Sequence, residues 1–319
     1  MLRRRLLVLL KPLEAYSLVR KSSGANVAAV GGSEMLRHLD NRLKVHTDAV
    51  TFCQDVLKRK MVDWETNFCN SLYQPISNMD LVVTVGGDGT LLQASHFMDD
   101  SLPVLGVNSD PTQVEEVEEF SDEFDATRST GYLCAATVKN FEEVLDNILE
   151  NRSAPSEISR ISVHVNSKLL PTPALNDLLI AHRAPAAVSR FSFGVKKDEN
   201  LWSSKIICRS SGLRVCTAAG SSAAMLSAGG LSMPIFSKDL QYMVREPILP
   251  STWKSSLMHG FVRSGQKMEI VWSSDDGEVY IDGFHISYPV RIGDVIDVSS
   301  EAPVLRLFLP HHLSSQSCL

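Results

Sequence analysis

Residues 82–92 read VVTVGGDGTLL, and this stretch decides the fold. An apolar run stops at two glycines, and Thr90 with the leucines behind it reopens the chain as a helix, giving strand, tight turn and helix. Glycines let a backbone approach a ligand closely. A helix start offers unpaired N–H groups and the positive end of its dipole to an anion. No G-K-[S/T] follows, which excludes a Walker A loop, and Gly87-Asp88-Gly89 lacks the third glycine of a Rossmann fingerprint. The anomaly is Asp88, a carboxylate where phosphate should dock. It could hold Mg2+ or accept the proton of an alcohol attacking a phosphoryl group, and both readings point to phosphoryl transfer. As plain structure, the turn needs only Asp88 or Thr90 as a helix cap.

Working outward, RLLVLLK (5–11) reads as a buried strand stopped by Pro12, and DAVTFCQDVLKRK (48–60) as a helix. DLVVTV (80–85) and PVLGV (103–107) are strands, while TLLQASHFM (90–98) and NFEEVLDNILE (140–150) carry helical spacing. This alternation predicts an α/β domain with a parallel sheet, ligands binding at the carboxyl ends of its strands. The acidic stretch 109–131 reads as a solvated surface excursion. Beyond NRSAPSE (151–157) short alternating runs take over, among them ISVHV (161–165), LLIAH (178–182), FSFGV (191–195), KIICR (205–209), LRVCT (213–217), MEIVW (268–272) and VLRLF (304–308). They predict a β-sandwich-like second domain. The expected division is 1–150 and 151–319, with the last segment free to pack back on the first domain.

At 319 residues and 44 % hydrophobic content the chain is an ordinary globular protein, and a net charge of −6 argues against nucleic acid as a partner. Six scattered cysteines without a CxxC pair suit free thiols better than a disulfide scaffold or a zinc site. The apolar part of MLRRRLLVLLK is too short to span a bilayer, so no membrane is expected. Ser317-Cys318-Leu319 resembles a relaxed peroxisomal address, predicting an import receptor as partner and the peroxisome, otherwise the cytoplasm, as destination.

Three further stretches can carry chemistry. In ALNDLLIAHR (174–183), Asn176 and Asp177 together offer donors and acceptors for hydroxyl and amino groups, or form a simple turn. TAAGSSAAMLSAGG (217–230) is nearly all small residues, which either admit a nucleotide or pack tightly, and Thr217, Ser221 and Ser222 add hydroxyls. Asp282-Gly283 forms a hairpin turn between two strands.

In this order, GGDGT, ND before an apolar strand, TAAGSSAAMLSAGG and IDG resemble the NAD kinase family over nearly the whole chain. The wording GVNSDPTQ and AAVSRFSF is nearest its plant NADH kinase branch. The resemblance implies transfer of the ATP γ-phosphoryl to the adenosine 2′-hydroxyl of NADH or NAD+, with Mg2+ carried by ATP. It implies Asp88 as the catalytic group and Gly86, Gly87, Gly89 and Thr90 at the phosphates. Asn108, Tyr132, Asn176, Asp177, Thr217, Ser221, Ser222, Ala223 and Asp282 would serve the dinucleotide. A homodimer or larger homo-oligomer follows, because a neighbouring subunit completes the site in this family. A lipid kinase of the diacylglycerol or sphingosine type and a non-catalytic dinucleotide sensor are the competing readings.

The chain also departs from the pattern. Residues 217–224 read TAAGSSAA where the family has TPTGSTAY, and Ser211 stands where an acid usually precedes the glycine. Loss of that acid and of the tyrosine at 224 is expected to ease acceptance of the uncharged, reduced nicotinamide.

Overall fold

The computed structural model describes residues 3–12, 32–198, 201–203, 205–248 and 257–315. The Ser317-Cys318-Leu319 tail lies outside the described residues. The described residues divide into two compact units, the first reaching to 156 and joined by 306–315, the second comprising 157–305.

In the first unit, β1 (Arg4–Leu10), β2 (Val62–Phe68), β3 (Leu81–Gly86) and β4 (Pro103–Asn108) form a parallel sheet in the order β2-β1-β3-β4, with residues 306–308 pairing parallel to β4. Its helices include α1 (Gly32–Arg59), α2 (Asp88–Ser95), α3 (Val114–Glu119) and α4 (Phe141–Leu149). Every residue of β3 is buried, as a central parallel strand covered on both faces requires. From β1 the chain goes to β2 on one side and returns to β3 on the other, so the carboxyl ends of β1 and β3 flank the crevice where such sheets bind ligands. Sequence patterning missed β2, an edge strand whose burial is confined to Val62 and, in part, Trp64.

Helix α1 begins sixteen residues before the predicted start at 48. Its first half lacks an apolar stripe because polar groups occupy its inner face. His38 Nδ1 lies 2.8 Å from Glu116 Oε1, Arg42 Nε donates to Asp110 at 3.0 Å, and His46 Nδ1 lies 2.7 Å from Ser109 Oγ. The acidic stretch is therefore a solvated excursion only in its middle, where Glu115, Glu118, Glu119, Asp122 and Glu123 are exposed, while the Asp110 and Arg128 side chains near its two ends are buried. Asp110 is 3 % exposed, and Arg128 bridges it (2.7 Å) to Glu116 (2.7 Å). Buried carboxylates need such partners, and the basic residues that supply them stand up to 78 positions away.

This network predicts an acid-sensitive first unit. Burial, helped by the Lys11 charge, lowers His46 below its ordinary 6.5, and Arg128 holds Glu116 below its ordinary 4.5. In both cases the unfolded chain takes up a proton more readily than the folded one, so stability falls as pH falls. Thermal unfolding should weaken first as pH drops below about 6.5 and again below about 4.5. A Tm that stays flat from pH 8 to 4 overturns this, and His46→Gln should remove the upper step.

The second unit packs two antiparallel sheets around one core that includes Phe191, Phe193, Trp272, Leu178 and Val215. One sheet orders the strands His259–Val262, Leu240–Arg245, Gly212–Cys216, Asp177–Ala181, Gly277–Ile281 and Ile286–Val290. The Gly277–Ile281 and Ile286–Val290 strands form the hairpin read from Asp282-Gly283, with positive φ at both residues. The five described cysteines are free and buried. Burial alone lifts Cys53 and Cys69 to about 12, which leaves them inert.

Candidate active site

The three glycines of GGDGT do different work. A Cβ on Gly86 would meet Thr90 Oγ1 at 2.1 Å and Lys11 Cβ at 3.2 Å, so this glycine lets β1, β3 and the start of α2 close together. A Cβ on Gly87 would meet Ser129 Oγ at 2.2 Å, so that glycine admits the returning loop. A Cβ on Gly89 would meet nothing within 4 Å. Packing does not demand glycine at 89, which leaves open space over the first turn of α2.

The helix cap is Gly87, with no side-chain cap, which corrects the expectation of Asp88 or Thr90 there. Thr90 is 6 % exposed and packs inward. The Asp88 carboxylate turns to the loop beyond Gly131. Tyr132 N–H donates to Oδ2 and Leu133 N–H to Oδ1, both at 2.8 Å, with Thr130 Oγ1 at 3.3 Å and Cys134 Sγ at 3.7 Å. Two backbone N–H groups thus fix the carboxylate, and the longer Thr130 contact leaves its exposed side open to a ligand. Asn108, 3 % exposed, is spent within the loop: its Nδ2 donates to the Ser129 carbonyl and its Oδ1 accepts from Asp110 N–H. Tyr132 meets the His312 ring edge-on at 6.3 Å.

Lys11, at the carboxyl end of β1, was missed by sequence reasoning. Its N–H donates to the Val85 carbonyl at 3.0 Å, which sets the backbone of this basic residue beside the end of β3. The available signal was a basic residue directly after a buried strand.

In the second unit the ND, TAAGSS and DG stretches meet. Asp282 accepts N–H bonds from Leu175, Asn176 and Asp177 at 2.8, 2.7 and 2.9 Å, and its own N–H donates to the Asp177 carbonyl. Thr217 is 1 % exposed, donates to the Leu175 carbonyl and accepts from Gly220 N–H. Ser221 is fully buried between the Ala218 carbonyl and Met233 N–H. Thr217 and Ser221 are thus internal braces, which corrects their reading as ligand hydroxyls. Ser222 and Ala223 stay nearer the surface, Ala223 with non-helical φ/ψ. A Cβ on Gly220 would stand 2.1 Å from the Asn176 carbonyl oxygen, so the small-residue stretch serves close packing.

Two polar groups remain poised. Asn176 Oδ1 is buried and accepts no hydrogen bond among the described residues. Asp177 pairs with Arg214, a partner the sequence did not reveal. Burial raises the Asp177 carboxyl above its usual range, against the pull of Arg214 and with a push from Asp282. An orphan acceptor beside a paired acid suits a ligand carrying amino or hydroxyl donors.

Known proteins resemble this chain in sequence and in fold. The family model of the ATP-NAD kinase N-terminal domain matches residues 11–111. The chain is 55 % identical to an NADH kinase of Arabidopsis thaliana over 312 residues (98 % of this chain, 97 % of that one). It is 50 % identical to a probable NADH kinase of Oryza sativa subsp. japonica over 320 residues (98 % of each). Its fold is shared by an NAD kinase from Archaeoglobus fulgidus solved in complex with ATP (TM-score 0.65, 20 % identity, 98 % of each chain). A yeast NADH kinase complexed with NADH shares it too (TM-score 0.64, 15 % identity, 98 % of this chain and 86 % of that one). With full-length relatives at this identity and a glycine loop opening α2 at the crevice of a parallel sheet, the chain belongs to the NAD kinase family.

Proposed function

We propose that this protein transfers the γ-phosphoryl of Mg-ATP to the adenosine 2′-hydroxyl of NADH and of NAD+. The observation that carries the reading is the Asp88 carboxylate, placed at the first turn of α2 between the open face of Gly89 and the 130–134 loop. Helix N–H groups and the Lys11 cation favour the polyphosphate, and Mg2+ enters as part of that substrate. Tyr132 and Leu133 N–H hold the carboxylate in place. An incoming hydroxyl takes the position of the more distant, exposed Thr130 hydroxyl, where Asp88 accepts its hydrogen bond and orients it for attack. Asn176 Oδ1 supplies the acceptor for a donor on the dinucleotide.

The test is product formation by the purified protein with Mg-ATP and NADH, NAD+ or a diacylglycerol. NADPH or NADP+ supports the reading. Lipid product alone replaces it with a lipid kinase, and tight dinucleotide binding without turnover replaces it with a sensor. Gly89→Ala gives a finer check. The fold should hold, with stability unchanged or raised by up to about 1 kcal/mol because Ala is the better helix former. KM for ATP should rise about tenfold, the weight of one displaced charge-assisted hydrogen bond. An unchanged KM would separate the loop from phosphate binding.

The proposal extends to a homodimer or larger homo-oligomer and to a peroxisomal destination through residues 317–319. Sedimentation at micromolar concentration checks the first. For the second, a fluorescent fusion should turn diffuse when the last three residues are removed.

A further inference from the structure

The acid missing at Ser211 reappears from the neighbouring strand. Ser211 Oγ donates to Glu246 Oε2, and Ser211 N–H donates to the Arg245 carbonyl at 3.0 Å, locking the two segments side by side. Arg245 ends the Leu240–Arg245 strand, and in an extended chain the next side chain would point to the opposite face. Glu246 instead has φ +45°, although Pro247 follows it and favours an extended residue before it. With this turn Arg245 and Glu246 both line one cleft of about 480 Å3, together with Asp177, Ser211, Arg214 and Tyr280. A left-handed non-glycine residue is held against its own preference, and such outliers gather at ligand sites.

Other charges at the cleft are matched: Arg214 pairs with Asp177, and Arg183 with Glu278 and Asp276. Arg245 and Glu246 make no ion pair among the described residues, so consecutive positions bring one uncompensated cation and one uncompensated anion to the same wall. The two forms of the dinucleotide differ by a single positive charge on the nicotinamide ring, and only an uncompensated charge near that ring distinguishes them electrostatically. The adenosine end is committed to phosphoryl transfer, which leaves the nicotinamide end for such a wall. Its carboxamide also offers an acceptor to Arg245 and a donor to Glu246.

We propose that the cleft receives the nicotinamide end of the dinucleotide, and that Glu246 and Arg245 set the preference between its oxidised and reduced forms. Glu246 favours the pyridinium cation and Arg245 opposes it. The proposal rests on the dinucleotide kinase reading above.

The experiment measures kcat/KM for NAD+ and for NADH, with Mg-ATP, in the full-length wild type and in Glu246→Gln and Arg245→Gln. Each substitution removes one charge, of opposite sign. The NAD+/NADH ratio should fall about fivefold in the first variant and rise about as much in the second. A merely structural role would leave both ratios unchanged or move them the same way, and either result overturns the proposal. Glu246→Gly guards against a folding artefact. It relieves the left-handed φ, so Tm should hold or rise while the ratio falls as in Glu246→Gln; a ratio that stays put overturns the proposal. Unchanged ratios in an active wild type sink this proposal alone. A wild type that phosphorylates neither dinucleotide sinks the kinase reading and the proposal with it.

Discussion

Asp88→Asn is expected to lose on the order of a thousandfold in kcat/KM for dinucleotide phosphorylation, within the usual worth of a positioned proton acceptor. The same change also strains the fold. Oδ1 and Oδ2 each accept a backbone N–H at 2.8 Å, from Leu133 and Tyr132. An asparagine keeps one acceptor oxygen and turns an NH2 group towards the other N–H, at a cost of about 1–3 kcal/mol. Activity must therefore be measured beside thermal unfolding, at a temperature where the variant is folded. Thr130→Ala is the control, because it removes only the 3.3 Å contact and should change kcat/KM by less than about tenfold. A folded Asp88→Asn protein that keeps near wild-type kcat would make Asp88 a strut for the 130–134 loop and nothing more.

Asp282→Ala should produce the largest stability effect in the second unit. Its carboxylate accepts three consecutive backbone N–H groups, and bonds to a charged acceptor are worth about 1.5–3 kcal/mol each. Asp282 is half-buried, so water recovers part of the loss, and a net cost of about 3 kcal/mol is expected. The 175–177 segment carries both Asn176 Oδ1 and Asp177, so affinity for NADH should fall more than about tenfold. Affinity for ATP, which depends on the glycine loop of the first unit, should change by less than about twofold. Calorimetric titration with each ligand, beside thermal unfolding, reads both quantities. An NADH affinity that survives intact would remove the 175–177 segment from the binding site. Asp282→Asn should fall between, since one amide oxygen cannot replace two carboxylate oxygens.

Sequence reading succeeded where a signal is local. The strands β1, β3 and β4 are runs of apolar residues bounded by glycine, proline or polar residues, and α4 repeats its apolar positions at helical spacing. The Asp-Gly hairpin was legible for the same reason. It failed where partners are remote. The acidic stretch is solvated in its middle as read, but the burial of Asp110 was hidden because Arg42, one of its two basic partners, is 68 positions away. Strands Leu240–Arg245 and His259–Val262 escaped because neither alternates cleanly, the first buried at 240–242 and 244 and the second at Val262 alone, while Val295–Ser299 alternates but is short and carries Asp297 at its centre.

The candidate site divides in the same way. Sequence alone determined that a glycine loop with an embedded carboxylate follows a buried strand and opens a helix, because backbone geometry and periodicity are properties of a few neighbouring residues. It also brought out the small-residue stretch and the ND and DG dipeptides. Only the tertiary structure decided what each group does. Asp88 receives its donors from 44 and 45 positions away, and Asp282 holds a segment 105–107 positions back. Thr217 and Ser221 turn inward, and Ser211 donates to Glu246, 35 positions on. A side chain's role depends on the donors, charges and burial that surround it, and folding assembles those from parts of the chain that no local pattern connects.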